Sequence, residues 1–182
     1  MTEKRTSGLK NHNQNLNKII KESLGQALIL LMNKKAFKAI TITELCRKAG
    51  VSRMAFYGNY KTKESLLKGI VLESVERLLE KIGSPFRQST GLEWYEQMFE
   101  SIKEDAFSLK TIFDAGFKHE YLSIMNELVL HNPSVTVENK YLRLIWSGGM
   151  ANVIIQWIED GAEEPTKEIA KFCFDNMSVW IK

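Results

Sequence analysis

Ile40-Thr-Ile-Thr-Glu-Leu-Cys-Arg-Lys-Ala-Gly-Val-Ser-Arg-Met-Ala-Phe-Tyr-Gly-Asn-Tyr-Lys-Thr-Lys63 reads as two short helices joined by a tight turn. Thr41 and Glu44 have the spacing of a capping box, which starts a helix over about Ile42–Ala49. Ile42, Leu45, Cys46 and Ala49 recur at helical spacing and give that helix one apolar face. Gly50 follows the last periodic residue, where a left-handed backbone is cheap only for glycine. Val51 fills the angle between the helices, and Ser52 caps the second one, whose inward residues are Phe56 and Tyr60. Its outward set is then Ser52, Arg53, Met54, Ala55, Tyr57, Gly58 and Asn59. A short second helix with polar groups at its start is what a chain needs to enter the major groove of DNA.

The residue types assign roles within that set. Arg53 offers a bidentate fork to guanine, whereas Met54 and Ala55 offer only apolar contact, as with a thymine methyl. Tyr57 and Lys63 suit phosphates, which fix register rather than read bases. Thr62 caps the next helix, whose free N–H groups add to phosphate binding. Helix pairs of this geometry also occur as packing motifs that touch no DNA. Charge argues against that alternative: through Gly83 there are 16 Lys and Arg against 7 Asp and Glu, and beyond it 9 against 15. A basic head on an acidic body is the electrostatic footprint of a nucleic-acid module.

The stretch Ile40–Leu67 resembles the DNA-binding domain of the TetR/AcrR family of bacterial transcriptional regulators. Ala49-Gly-Val-Ser-Arg, Phe56-Tyr57, Asn59-Tyr60, Lys63-Glu64 and Leu66-Leu67 carry the resemblance, in residue type and in spacing. It implies an all-α homodimer: an N-terminal three-helix helix-turn-helix domain, then an α-helical ligand-binding and dimerisation domain. Carried over position by position, its DNA-facing sites fall on Thr43, Ser52, Arg53, Met54, Ala55, Tyr57, Asn59 and Lys63. Ala55 stands where the family often has threonine, Gly58 where a basic residue is common, and Asn59 where histidine is common. Those departures thin the polar set, and Gly58 weakens its helix by about 1 kcal/mol relative to alanine.

Composition bounds the rest. With 182 residues, 44% hydrophobic and 26% charged, the chain has the make-up of a soluble globular protein. No apolar run approaches the roughly 20 residues of a membrane span, and the polar start does not read as a signal peptide. Cys46 and Cys173 lie on apolar stripes as buried small hydrophobes, which suits a cytoplasmic location.

Residues 1–15 are polar and read as a flexible arm, with Lys4, Arg5 and Lys10 either touching DNA or simply solvated. Residues 16–62 form the helix-turn-helix domain, its first helix running from Leu16 to about Lys35 with Ile19, Ile20, Leu24, Ala27, Leu28 and Leu31 inward. Residues 63–83 form a connecting helix, a lever ended by Gly83-Ser84-Pro85. Residues 84–182 read as helices near Gly91–Asp105, Phe107–Ala115, Lys118–His131, Val137–Glu159 and Pro165–Ile181, with breaks at Gly116, Asn132-Pro133 and Gly161–Pro165.

The last two of these helices are rich in large apolar residues, Trp180 among them, and the resemblance implies that they pair with their copies. Trp146, Gly149, Met150, Val153, Trp157, Phe172 and Met177 are the candidate dimer residues, the alternative being an intrachain core. An apolar or aromatic small-molecule effector would sit among the helices between Leu92 and Trp146, with Met98, Phe113, Phe117 and His119 as candidate contacts. His119 and Glu120 adjoin and His131 lies twelve residues on, but no pair of them has the close ligand spacing of a zinc site, so no metal or cofactor is expected. No catalytic motif is present either. The expected function is a dimeric repressor released from a palindromic operator by its effector. The alternative is an activator or co-regulator that acts through another protein and binds DNA weakly.

Overall fold

The computed structural model describes the backbone of residues 2–86, 90–131 and 136–181, and side chains at 15–86, 90–131, 136–137 and 139–179. Among them every regular element is helical: α1 Thr2–Met32, α2 Ile42–Ala49, α3 Arg53–Asn59, α4 Lys63–Ile82, α5 Leu92–Glu104, α6 Ala106–Asp114, α7 Lys118–Leu130, α8 Val137–Glu159 and α9 Thr166–Met177. Short 3-10 turns occupy Phe37–Ala39 and Ser178–Ile181. No described helix is long and apolar enough to cross a membrane. The chain divides into two compact units, Met1–Ile70 and Val71–Lys182. The division falls inside α4 rather than at the expected ends of a separate connecting helix. Leu66 and Leu67 are buried in the first unit and Val71 in the second.

In the first unit α1 packs across α2 and α3. Leu24, Leu28 and Leu31 of α1 bury with Leu45, Phe56 and Leu66. Ile19, expected inward, is exposed. An eight-residue α2 is only about 12 Å long and shields a limited length of α1. Residues 2–15, expected as a flexible arm, continue α1 as helix. They contain no proline and one glycine, Gly8, and extending a nucleated helix costs far less than starting one. The side chains of Lys4, Arg5 and Lys10 lie outside the described residues, as does the Asn132-Pro133 break.

The turn between α2 and α3 matches its sequence. The Thr41 hydroxyl accepts the Glu44 N–H at 3.2 Å and the Ser52 hydroxyl accepts the Ala55 N–H at 3.0 Å. Gly50 adopts φ 69°, and its N–H and that of Val51 return to carbonyls of α2. The Glu44 carboxylate pairs with Lys35 from the connection after α1. That hydrogen bond, more than any other contact, holds the Glu44 carboxyl below its usual pKa.

In the second unit α5 packs on α9 and α7 on α8. Helix α8 decides the layout. Arg143, Trp146, Ser147, Met150, Ala151, Ile154, Trp157 and Ile158 recur every three or four residues, and all are buried. Trp146, Met150 and Trp157, expected at a dimer interface, are thus core residues of a single chain. Trp146 donates its indole N–H to the Tyr95 hydroxyl at 3.1 Å, and Trp157 packs edge-on against Phe99 with centroids 5.3 Å apart. Gly149 is likewise used within the chain. A Cβ there would run into the end of the Met177 side chain, so Gly149 and Met177 meet each other. Val153 is half-buried, and Phe172 alone of the seven candidates is exposed. The Trp180 side chain lies outside the described residues. Cys46 and Cys173 are free and buried, and burial pushes the Cys173 thiol up to about 12.

Gly50→Ala meets no steric obstacle but places an L side chain at φ 69°. We expect a loss of about 1–2 kcal/mol. It is measured as a lower urea midpoint at unchanged m-value.

Candidate nucleic-acid interface and cavity

Three exposed side chains dominate the outer face of α3. Met54 is 81% exposed, Tyr57 stands out with its ring edge-on to Phe56 at 5.3 Å, and Arg53 opens the helix. Phe56, with no exposure, and Tyr60 root the helix from beneath. Arg53 makes no hydrogen bond or ion pair among the described residues. Thr43 and Ser52 are exposed, and Ala55 is half-buried. Asn59 is turned back on its own helix, its side-chain N–H donating to the Ala55 carbonyl at 2.9 Å. The structure therefore brings Ser52, Arg53, Met54 and Tyr57 together as a free face and spends Asn59 on closing α3.

Lys63 departs most from expectation. Its ammonium donates to the carbonyls of Phe37 at 2.7 Å, Ile40 at 2.9 Å and Lys38 at 3.1 Å. It also lies 4.7 Å from the centre of the Phe37 ring. An ammonium has three protons, and all three are used. Lys63 thus fastens the start of α4 to the Phe37–Ala39 turn instead of waiting for a phosphate. The N-terminus of α4 is also partly consumed, since Thr62 and Ser65 cap each other at 3.1 Å in both directions. Two further cations near α3, Lys48 at the end of α2 and Lys61 just after α3, make no hydrogen bond or ion pair among the described residues, as Arg53 does not. Both are exposed, and neither was picked out from sequence, where Lys63 carried the stronger motif signal.

The second unit holds a cavity of ≈ 240 Å³. Its apolar floor includes Met98, Ile102, Leu109, Tyr121 and Ile154, all buried. Charged Arg77, Lys81, Glu104 and Asp105 also line it; across this lining the Ser74 hydroxyl donates to Asp105 at 2.7 Å. Of the four residues expected to meet an effector, only Met98 is on the wall. Phe113 is buried against Tyr121 with centroids 5.2 Å apart, Phe117 lies off the lining, and His119 is exposed. Sequence reasoning missed the contribution of α4, because its polar Ser74, Arg77 and Lys81 resemble an ordinary solvated face. Among the described residues, no group of three or more His, Cys, Asp or Glu could hold a metal ion.

Residues 26–70 match the family model for bacterial regulatory proteins of the tetR family, and residues 90–178 match that for a transcriptional regulator C-terminal region. The HTH-type transcriptional regulator AlkX of Mycobacterium tuberculosis (strain ATCC 25618 / H37Rv) is 24% identical over 85 residues, which is 47% of this chain and 40% of that protein. The chain thus matches less than half the length of that relative. Among solved structures, the dihydroxyacetone kinase operon activator DhaS superposes with a TM-score of 0.61 at 16% identity, covering 89% of this chain and 96% of its own. The fatty acid degradation regulator FadR from Bacillus halodurans gives 0.58 at 14% identity, covering 87% and 94%. At these identities the structural likenesses speak for the fold.

Lys61→Ala should lower the slope of log K against log salt for DNA binding by about 1, as loss of one phosphate contact does. Lys63→Ala should leave that slope unchanged. Its own effect should be a melting temperature several degrees lower, since hydrogen bonds to a charged group contribute about 1.5–3 kcal/mol. Titrations at several salt concentrations and thermal melts of both variants check this.

Proposed function

Because the chain belongs to the tetR family of transcriptional regulators, with a helix-turn-helix DNA-binding domain and no enzymatic role, we propose that it acts as a homodimeric repressor released from a palindromic operator by a small molecule. The observation that carries the reading is the free face of α3. A Ser52-capped helix presents Arg53, Met54 and Tyr57 outward and is rooted by Phe56 and Tyr60. Arg53 reads a guanine, Met54 and Ala55 contact a thymine methyl, and Tyr57 with Lys48 and Lys61 binds phosphates. Thr43 joins them from α2. The work is cytoplasmic, where the operator lies.

The dimer rests on the side of α8 opposite its core stripe. Val137, Tyr141 and Ile145 follow one another at four-residue steps, and all three are exposed. Gly148 continues the line with open space around it, and Phe172 of α9 is exposed as well. Exposed apolar patches of this kind mark association surfaces. The effector enters the cavity of the second unit. Its wall includes Ser74, Arg77 and Lys81 of α4, the helix whose first turn carries Lys63. A ligand that prefers one position of α4 shifts the population of DNA-competent dimers by its differential affinity alone.

A second reading keeps the fold and makes the protein an activator or co-regulator. It is favoured by the thinness of the α3 face, where Met54 is the most exposed side chain and Gly58 adds nothing. Among the structural neighbours, DhaS is itself described as an operon activator.

Gel-shift with the promoter of its own gene and with genomic fragments the protein recovers is the deciding experiment. Arg53→Ala should relax preference at one base position, and Tyr57→Phe should weaken binding on every sequence. Unaltered binding by both variants removes α3 as the reader. Ile145→Glu should convert the dimer to a folded monomer by light scattering and abolish operator binding. A dimer that survives the change excludes this face.

A further inference from the structure

We propose that the cavity of the second unit takes a small uncharged molecule with an apolar body and one hydrogen-bond acceptor, such as a carbonyl, which receives the proton of the Tyr121 hydroxyl. The proposal rests on the effector reading for its biological role and names the chemistry of the occupant. Tyr121 is 3% exposed and lines the cavity. Its ring is fixed edge-on to Phe113 at 5.2 Å. Its hydroxyl makes no hydrogen bond with any described residue, so its donor is unused within the chain. The surrounding floor, Met98, Ile102, Leu109 and Ile154, has only carbon and sulfur to offer it.

The charge of the occupant follows from the same surroundings. Burial alone pushes the Tyr121 pKa up, with no neighbouring cation to oppose it, so the phenol stays a proton donor. An anion placed beside it would lose its hydration and gain no counter-charge. The ionic residues of the lining are two cations, Arg77 and Lys81, against two anions, Glu104 and Asp105. Arg77, Lys81 and Glu104 are exposed, where water screens them. Asp105 accepts from Ser74, and Lys81 donates to Ser101 at 3.4 Å. The lining therefore gives no net attraction for a carboxylate or phosphate. Size sets the last bound: ≈ 240 Å³ falls below the roughly 300–1,000 Å³ of sites for drug-sized ligands.

Acetophenone and benzoate are matched in size and differ in charge, so calorimetric titration of each into the DNA-free full-length protein tests the proposal. Acetophenone should bind with a Kd below about 1 mM and benzoate at least roughly tenfold more weakly. Tyr121→Phe, a near-isosteric change, should weaken acetophenone about 5–10-fold without lowering the melting temperature. Benzoate binding as tightly as acetophenone, acetophenone binding that ignores Tyr121→Phe, or no binding of acetophenone overturns the proposal. Operator release is measured separately. Tyr121-dependent acetophenone binding that leaves DNA affinity unchanged supports this ligand chemistry and removes the effector role.

Discussion

The ammonium of Lys63 closes the first unit on itself. Three carbonyls from a single turn, those of Phe37, Lys38 and Ile40, converge on it while the Phe37 ring lies 4.7 Å away. The turn they belong to leads directly into Thr41, the cap of α2, and Lys63 itself is the first residue of α4. One side chain thus ties the entrance of the helix-turn-helix to its exit, across more than twenty residues. The angle at which α3 is offered to a partner depends on both ends being held. Holding them with a cation has a cost in recognition, because a charge the motif would place on DNA is withdrawn into the fold. The free face is left with Arg53 as its only ionic group and Met54 as its most exposed one.

Helix α8 solves a different problem with the same economy. Its core stripe carries Trp146, Met150, Ile154 and Trp157, yet Val137, Tyr141 and Ile145 on the opposite side are apolar too. Asn152 and Gln156 continue that side as exposed polar residues, so its apolar patch is confined to the first half of the helix. A single chain covers only one of its sides, with α7 and α9 packed against it. Those exposed apolar residues are the surface on which the proposed dimer rests, and Gly148 leaves open space beside them.

These two features also show where sequence was a good guide. Helix limits set by local chemistry were legible: α2 and α4 begin and end where Thr41, Gly50, Thr62 and Gly83 place them. Features set by distant contacts were not. The partners of Lys63 lie 23 to 26 residues away, so its motif position said nothing of its use. On α8 periodicity marks apolar residues without saying which apolar side faces inward, and Trp146, Met150 and Trp157, expected at a dimer interface, face the chain's own core. Aromatic density in the sequence points to Phe113 and Phe117 as cavity residues. The structure uses Phe113 as packing and takes part of the wall from α4, whose Ser74 and Arg77 carry no sequence signal for a ligand.

The isolation of the Tyr121 hydroxyl has an evolutionary consequence. Because no described residue bonds to it, removing or replacing it breaks no hydrogen bond of the native state and leaves no orphaned partner behind. Most buried polar groups couple what a site recognises to whether the chain folds, so a change in one is punished through the other. At Tyr121 the two are separable. Only the hydroxyl has this freedom, since the ring is packed edge-on against Phe113, so an exchange of tyrosine and phenylalanine there changes the chemistry of the cavity while leaving the packing in place.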